Sequence, residues 1–465
     1  MIPTATSRAL HRTSSRRSKP DGPIGGRLAR RVVITGMGWV TPLGCDVDAV
    51  WTRLLRGDNA VGPVTRFDAS TFATNFAAEV RNFRLADTMK DTGRFANVAT
   101  GTQFALAAAS AATAQARLAG VNPERVGVYM GAGEGPADVE NLAAANIRAW
   151  DAESRTVKDL EWTAEALRLL RMQIEAEQEP NACLSHLANA FGCRGPSANC
   201  MTACAAGTQA IGEASEIIRR GDADVMLAGG AHSMIHPLGM TGFIRLTAMS
   251  MRRDTPGTAA RPFDQTRDGF VMGEGAGVLV LEGLEHALSR GATPLCELAG
   301  YGSSADAFRI TDIQEDGRGA VAAMSLACRQ AGINPRTPDA AGRPGVHYIS
   351  AHGTGTKEND KIETRAVKAL FGELAPKVPF SSVKSMLGHL IQAAGAVELM
   401  TCVQAIRTGW LPPTMNLKTP DPECNLDYVA NAARDCRAQG VEVCLSNSFG
   451  FGGQNDSALV RRFVE

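Results

Sequence analysis

The chain is short of aromatic side chains, which make up 5% of its 465 residues, and it carries no net formal charge. Zero net charge gives no electrostatic reason to expect nucleic acid or another polyanion as partner. No apolar run approaches the ~18 residues that a membrane-spanning helix needs. No CxxC pair occurs, and the eleven cysteines are odd in number and scattered without metal-ligand spacing. A disulfide framework is thereby excluded, and a reducing compartment with single-cysteine chemistry is expected. A dinucleotide fingerprint is missing as well. The apolar run Arg31–Gly38 ends in Gly36-Met37-Gly38, but position 41, where a third glycine would belong, is Thr41.

What is present is a glycine-rich chain of globular composition, long enough for about three average domains. Residues 1–30 stand apart. Arg8, Arg12, Arg16, Arg17, Lys19, Arg27 and Arg30 face one acid, Asp21, among many Ser and Thr. A disordered basic extension over 1–30 is expected, with a transit peptide as the alternative reading.

From Arg31 onward, continuous apolar runs alternate with helical patterns, which predicts an α/β fold with sheets covered on both faces. Val126–Met130 leads into the turn Gly131–Gly135, and Asp224–Gly230 is a third such strand. The second part of the chain echoes the first. Leu295–Gly302 repeats the strand with Gly-x-Gly, and Val346–Thr356 repeats the strand that runs into a glycine turn. Lys384–Leu390 precedes a helix of small residues, and Val443–Gly453 is a last strand ending in glycines. Such an echo predicts a duplicated fold with a site between halves at 31–292 and 293–465. A helical insertion is expected at about 137–182. Within it, Arg155–Glu179 reads as one exposed helix with Leu160, Ala164, Leu167, Leu170 and Ile174 on a single stripe.

Three positions combine a reactive side chain with a glycine- or small-residue turn: Cys204, His352 and His389. Cys204 precedes the helical run Ala205–Ile218, so unpaired N–H groups and the positive helix end would favour its thiolate. A thiolate can form a thioester, and two imidazoles can donate to a developing enolate or oxyanion. Lys384, five residues before His389, could orient that imidazole or a carboxylate.

At these residues the chain resembles the β-ketoacyl-[acyl-carrier-protein] synthases of the elongating Cys-His-His type, within the thiolase-like superfamily. The resemblance rests on Thr202-Ala203-Cys204, Ala351-His352-Gly353-Thr354-Gly355-Thr356, Lys384–His389 and Asn447–Gly453, and it covers nearly all of Arg31–Val464. It implies a duplicated αβαβα five-layer fold, with two mixed sheets around central helices. It implies acyl transfer to Cys204, then decarboxylative Claisen condensation with malonyl-acyl carrier protein to 3-oxoacyl-carrier protein and CO2, in fatty acid elongation. His352 and His389 would donate to the thioester carbonyl, and the N–H groups of Cys204 and Phe451 would form the oxyanion hole. Phe451 and Phe449 would serve as gate residues. Thr354 and Thr356 match positions that bind phosphopantetheine. Ser350, Ala351, Glu398, Ser446 and Asn447 match a monovalent-cation site, with a structural Glu398–Lys384 pair as the alternative. No permanently bound cofactor is implied, since the substrates ride on the phosphopantetheine of acyl carrier protein. A homodimer is implied, and a cytoplasmic location is expected, or an organelle if the extension is a transit peptide.

Some residues depart from that pattern. Ser350 stands where many relatives have Asn, and Gln454 replaces a Thr. Glu134 places a carboxylate at a position that helps set acyl-pocket depth. Rival readings are a polyketide or specialised-lipid ketosynthase, and a thiolase. The thiolase would need a second catalytic cysteine near the C-terminus, where this chain has Phe449 and Phe451. A chain-length factor would lack the nucleophile.

Overall fold

The computed structural model describes residues 30–133, 138–339 and 341–464. Glu134 and all of the basic extension except Arg30 lie outside the described residues.

Ten strands form one mixed sheet: β1 (Val32–Val40), β2 (Val126–Gly131), β3 (Ser197–Cys200), β4 (Val225–His232), β5 (Gly275–Gly283), β6 (Cys296–Ala305), β7 (Tyr348–Ser350), β8 (Phe380–Ser381), β9 (Val443–Gly450) and β10 (Gln454–Arg461). Their order is β8-β7-β9-β10-β6-β1-β5-β4-β2-β3. The two halves are copies. In the first, β2 pairs in parallel with β3 and β4, and β5 runs antiparallel to both β4 and β1. In the second, β7 pairs in parallel with β8 and β9, and β10 runs antiparallel to β9 and β6. Two mixed sheets were expected; each half contributes five strands, and the two sets touch edge to edge through Val33↔Glu297 and Ile34↔Cys296, which makes one continuous sheet.

The helices repeat in the same way. α1 (Thr100–Ala116) covers the outer face of the first half and packs on α4 (Ala182–Phe191). α6 (Arg318–Gln330) and α7 (Lys357–Phe371) occupy the corresponding places in the second half. Between the halves lie α5 (Ala206–Arg220) and α8 (Ala394–Thr408), which pack on each other and on strands of both halves. Alanine, glycine and threonine fill much of both helices, so two backbones fit side by side within one buried layer. The result is the five-layer order helix, sheet, helix, sheet, helix.

Gly36 and Gly38 do not end the first strand, as their spacing suggests, because β1 runs on to Val40. They let α1 lie against the strand: a Cβ at Gly36 would sit 2.1 Å from Ala112 O.

The insertion also differs from expectation. It contains α2 (Val139–Arg148), a two-stranded hairpin at Trp150–Asp151 and Thr156–Val157, α3 (Asp159–Leu169) and a short helix at Met172–Ala176. Arg155 belongs to the hairpin turn with φ +54°, and Leu170 is extended, so no single helix spans 155–179. The expected leucine stripe faces outward, with Leu160 87% and Leu167 84% exposed. α2 and α3 pack together, and small Ala145 and Ala166 are their buried positions. Arg171 closes the base of the excursion by donating to both oxygens of Asp138, at 3.1 and 3.2 Å.

Candidate active site

The two central helices start in the same unusual way. A 3-10 turn at Ala203–Ala205 leads into α5, and one at Ile391–Ala393 leads into α8. Ala203 and Ile391, the first residues of these turns, have φ of +49° and +45°. Side chains other than glycine pay on the order of 1–3 kcal/mol for such a backbone. The elbow after β3 carries Cys204 at its second position, and the elbow in the other half carries Gln392 there. Strand β9 closes on the Cys204 elbow so tightly that only glycine fits. A Cβ at Gly450 would lie 2.8 Å from Thr202 O and 3.3 Å from Cys204 N.

Cys204, His352 and His389 are all buried. His389 Nε2 is 3.1 Å from Cys204 Sγ. The two imidazole rings are 5.4 Å apart at 81° to each other, and the Cys204 sulfur and one ring nitrogen from each histidine all lie within 4.8 Å of one another. A single carbonyl placed there can reach all three. Burial first, then the Lys384 charge, pushes both imidazoles well below their ordinary pKa. Both are therefore neutral at physiological pH. The Ile391 N–H donates to His389 Nδ1 at 3.2 Å, which puts the proton of His389 on Nε2, facing the sulfur. Lys384 Nζ lies 3.5 Å from His352 Nδ1 and donates to His352 O at 2.6 Å. An ammonium there makes Nδ1 an acceptor and leaves Nε2–H as the donor.

Lys384 also forms a buried ion pair with Glu398, whose carboxyl burial pushes up to about 7. Glu398 Oε2 and Ser446 Oγ are buried and have no partner among the described residues. Two such oxygens suit a hard cation better than an apolar neighbour. Of the other residues expected around a cation, Ser350 Oγ lies 3.3 Å from Thr401 Oγ1, Ala351 N donates to Ser381 O, and Asn447 Nδ2 donates to Glu363.

The three groups open onto a cavity of about 460 Å³, within the range of small-molecule sites. Thr354, Thr356, Phe449 and Phe451 line it. The two threonine hydroxyls are 3.0 Å apart, and the Phe449 ring is 5.7 Å from His352. Phe270, edge-on to His389 at 5.3 Å, is part of this wall and was not expected from the sequence.

Two further carboxylates escaped the sequence reading, and both come from α7. Glu363 accepts the His352 and Gly353 N–H groups at 2.9 and 2.8 Å. Asp360 accepts from Gly355 at 3.1 Å and from Phe263 at 2.8 Å. Together they fix the turn that carries His352, Thr354 and Thr356. The cue was the acidic run Glu358-Asn359-Asp360-Lys361-Ile362-Glu363 right after the glycine turn, which reads as an ordinary exposed helix start.

Family models for the N-terminal and C-terminal domains of β-ketoacyl synthases match residues 29–287 and 295–418. The chain is 39% identical over 436 residues to 3-oxoacyl-[acyl-carrier-protein] synthase 2 of Synechocystis sp., covering 93% of this chain and 98% of the relative. It is also 39% identical to the protein of that name from Coxiella burnetii, covering 94% and 99%. Among solved structures, a β-ketoacyl synthase from Burkholderia phymatum is similar with a TM-score of 0.80 and 33% identity, covering 94% of this chain and 100% of that one. A type II polyketide ketosynthase, solved with its acyl-carrier protein, matches with a TM-score of 0.80, 32% identity and the same coverage. With both family models matched and relatives aligned over nearly the whole length, the chain belongs to the β-ketoacyl synthase family.

Proposed function

We propose that the protein condenses an acyl group with malonyl-acyl carrier protein to give 3-oxoacyl-carrier protein and CO2, the activity named in its relatives. The observation that carries this reading is the approach of His389 Nε2 to Cys204 Sγ at 3.1 Å, with neutral His352 completing the cluster.

The Cys204 sulfur attacks the carrier-bound acyl thioester, and the carrier thiol leaves as the acyl group moves to Cys204. The N–H groups of Cys204 and Phe451 receive the oxyanion. Malonyl-carrier protein then enters along the wall formed by Thr354 and Thr356. His352 and His389 donate from Nε2 to its thioester carbonyl. The C–C bond to the carboxylate breaks, CO2 leaves, and the electron pair remains as an enolate. Its carbon attacks the Cys204 thioester, and the sulfur is expelled as product forms. Neutral donors suit this step, because loss of CO2 makes the carbanion without a base removing a proton. Lys384 holds His352 in its donor tautomer, and Phe449 and Phe451 act as the gate. Glu398 Oε2 and Ser446 Oγ would hold a monovalent cation, whose charge would steady the loop ends around Ser350 and Asn447. The working form is a cytoplasmic homodimer.

Incubation with acyl-carrier protein adds one acyl mass to the peptide holding Cys204, and Cys204→Ala abolishes the adduct. Labelling at Cys193 or Cys200 that survives Cys204→Ala would refute the assignment. A panel of acyl lengths in the same assay separates fatty acid elongation from polyketide synthesis.

A further inference from the structure

The three reacting side chains are also the donor set of a zinc site. Cys204 Sγ and one ring nitrogen from each of His352 and His389 lie within 4.8 Å of one another, and His389 Nε2 is already 3.1 Å from the sulfur. Zinc bonds of about 2.0–2.3 Å would need only small inward movements of such a set, and zinc favours thiolate and imidazole donors. The cluster opens onto the cavity, so an ion has a route in and room for water as a further ligand. On spacing alone, the nucleophile sits in a trap for thiophilic divalent cations.

The groups behind the two rings reverse that conclusion. A metal-bound imidazole offers the lone pair of one nitrogen and carries its proton on the other, where it donates to a carboxylate, a carbonyl or water. Here both outer nitrogens meet donors instead. His389 Nδ1 receives the Ile391 N–H at 3.2 Å, and Lys384 Nζ stands 3.5 Å from His352 Nδ1. The first of these donors is part of the left-handed elbow, where Ile391 has φ +45°. The second is anchored by His352 O at 2.6 Å and by its ion pair with Glu398. A nitrogen that receives an N–H has no place for a proton of its own, so the proton of each ring stays on Nε2. The cluster thus presents N–H bonds where a metal needs lone pairs. That suits a carbonyl oxygen and repels a cation.

We propose that Lys384 and the Ile391 N–H keep zinc and similar thiophilic cations off Cys204. This protects the nucleophile, a role apart from orienting donors for catalysis, and it holds whatever acyl group the sulfur carries.

The Ile391 donor belongs to the main chain, so the test acts on Lys384. Lys384→Met lets His352 carry its proton on Nδ1 and turn a lone pair toward the sulfur. Changing the group behind a metal-bound imidazole alters affinity by about 10- to 100-fold. Co2+ serves as an absorbing probe in place of Zn2+. Lys384→Met is expected to bind it about tenfold or more tightly than the unmodified full-length protein, with thiolate-to-metal absorption that Zn2+ displaces. Bound metal also slows alkylation of Cys204 by iodoacetamide, read from the peptide mass. The absorption disappears in Lys384→Met/Cys204→Ala. Lys384→Met/Glu398→Leu gives the same comparison should the single variant not fold, and it removes the carboxylate as a competing ligand. Equal Co2+ affinity in the unmodified protein and the Lys384 variants would overturn the proposal. So would absorption that survives Cys204→Ala, because the ion would then lie elsewhere.

Discussion

With no cation bound at Glu398, replacing Lys384 by Met isolates the buried carboxyl, and the cost has a characteristic pH dependence. In the native protein the two groups are 2–3% exposed and paired, and Glu398 titrates at about 7 instead of its ordinary 4.5. Its first cause is burial, which favours the neutral acid, and Lys384 pulls the other way. Because the folded value lies above the unfolded one, the native state keeps a proton that the unfolded chain releases. Stability from this group is therefore complete below about pH 4.5 and declines as pH rises, until the folded value is passed. In the unmodified protein the decline ends near pH 7. Without Lys384 the folded value climbs, and the decline continues through pH 8.5. One pH unit is worth about 1.4 kcal/mol, so Lys384→Met loses up to about 2 kcal/mol between pH 7 and 8.5 that the native protein does not. Breaking a buried pair costs about 3–5 kcal/mol in total, whereas replacing both partners by apolar groups is close to neutral. Urea unfolding of Lys384→Met and of Lys384→Met/Glu398→Leu at both pH values measures this. A single variant that parallels the native protein from pH 7 to 8.5, or a double variant no more stable than the single, refutes the reasoning.

Three other outcomes follow from the site. Cys204→Gln abolishes condensation and spares malonyl decarboxylation, whereas His352→Ala loses both; CO2 release and 3-oxoacyl product, measured separately, show the split. Decarboxylation by Cys204→Gln stays level as pH falls through 6.5, because both imidazoles titrate well below that value; stability contributed by their neutral forms is complete above the unfolded value and is lost on further acidification. A drop in rate centred on pH 6.5 would contradict the neutral-donor reading. Gly450→Ala forces a Cβ to within 2.8 Å of Thr202 O, and is expected to cost about 1–3 kcal/mol in stability and to slow Cys204 acylation, read by denaturation and by adduct formation.

The duplication was readable because each half writes the same punctuation: an apolar strand, a glycine turn, then a helix of small residues. Cys204, His352 and His389 stood out because a reactive side chain at such a turn is rare. The glycines of β1 misled, since Gly36-Met37-Gly38 looks like a turn and is in fact a strand accommodating a helix at close range. Helical periodicity over Arg155–Glu179 suggested one exposed helix, but the helix that forms is only Asp159–Leu169, and Ala145 and Ala166, not the leucines, are the buried positions where α2 and α3 meet. Glu363 was illegible for a different reason. Its carboxylate bonds backbone groups eleven and ten residues earlier, and main-chain donors leave no mark in a sequence.

The paired elbows at Ala203 and Ile391 bear on how strain should be interpreted in this molecule. Only one of them presents a nucleophile, yet both adopt the same left-handed backbone. Holding a thiol therefore does not explain that conformation. It is the way a chain leaving a sheet edge is turned into the central layer, once in each half. The reactive side chains are shared unequally between the halves: the first presents the sulfur of Cys204, and the second presents the imidazoles of His352 and His389. Two equivalent halves of one layered fold thus differ in the side chains they place on turns of the same shape.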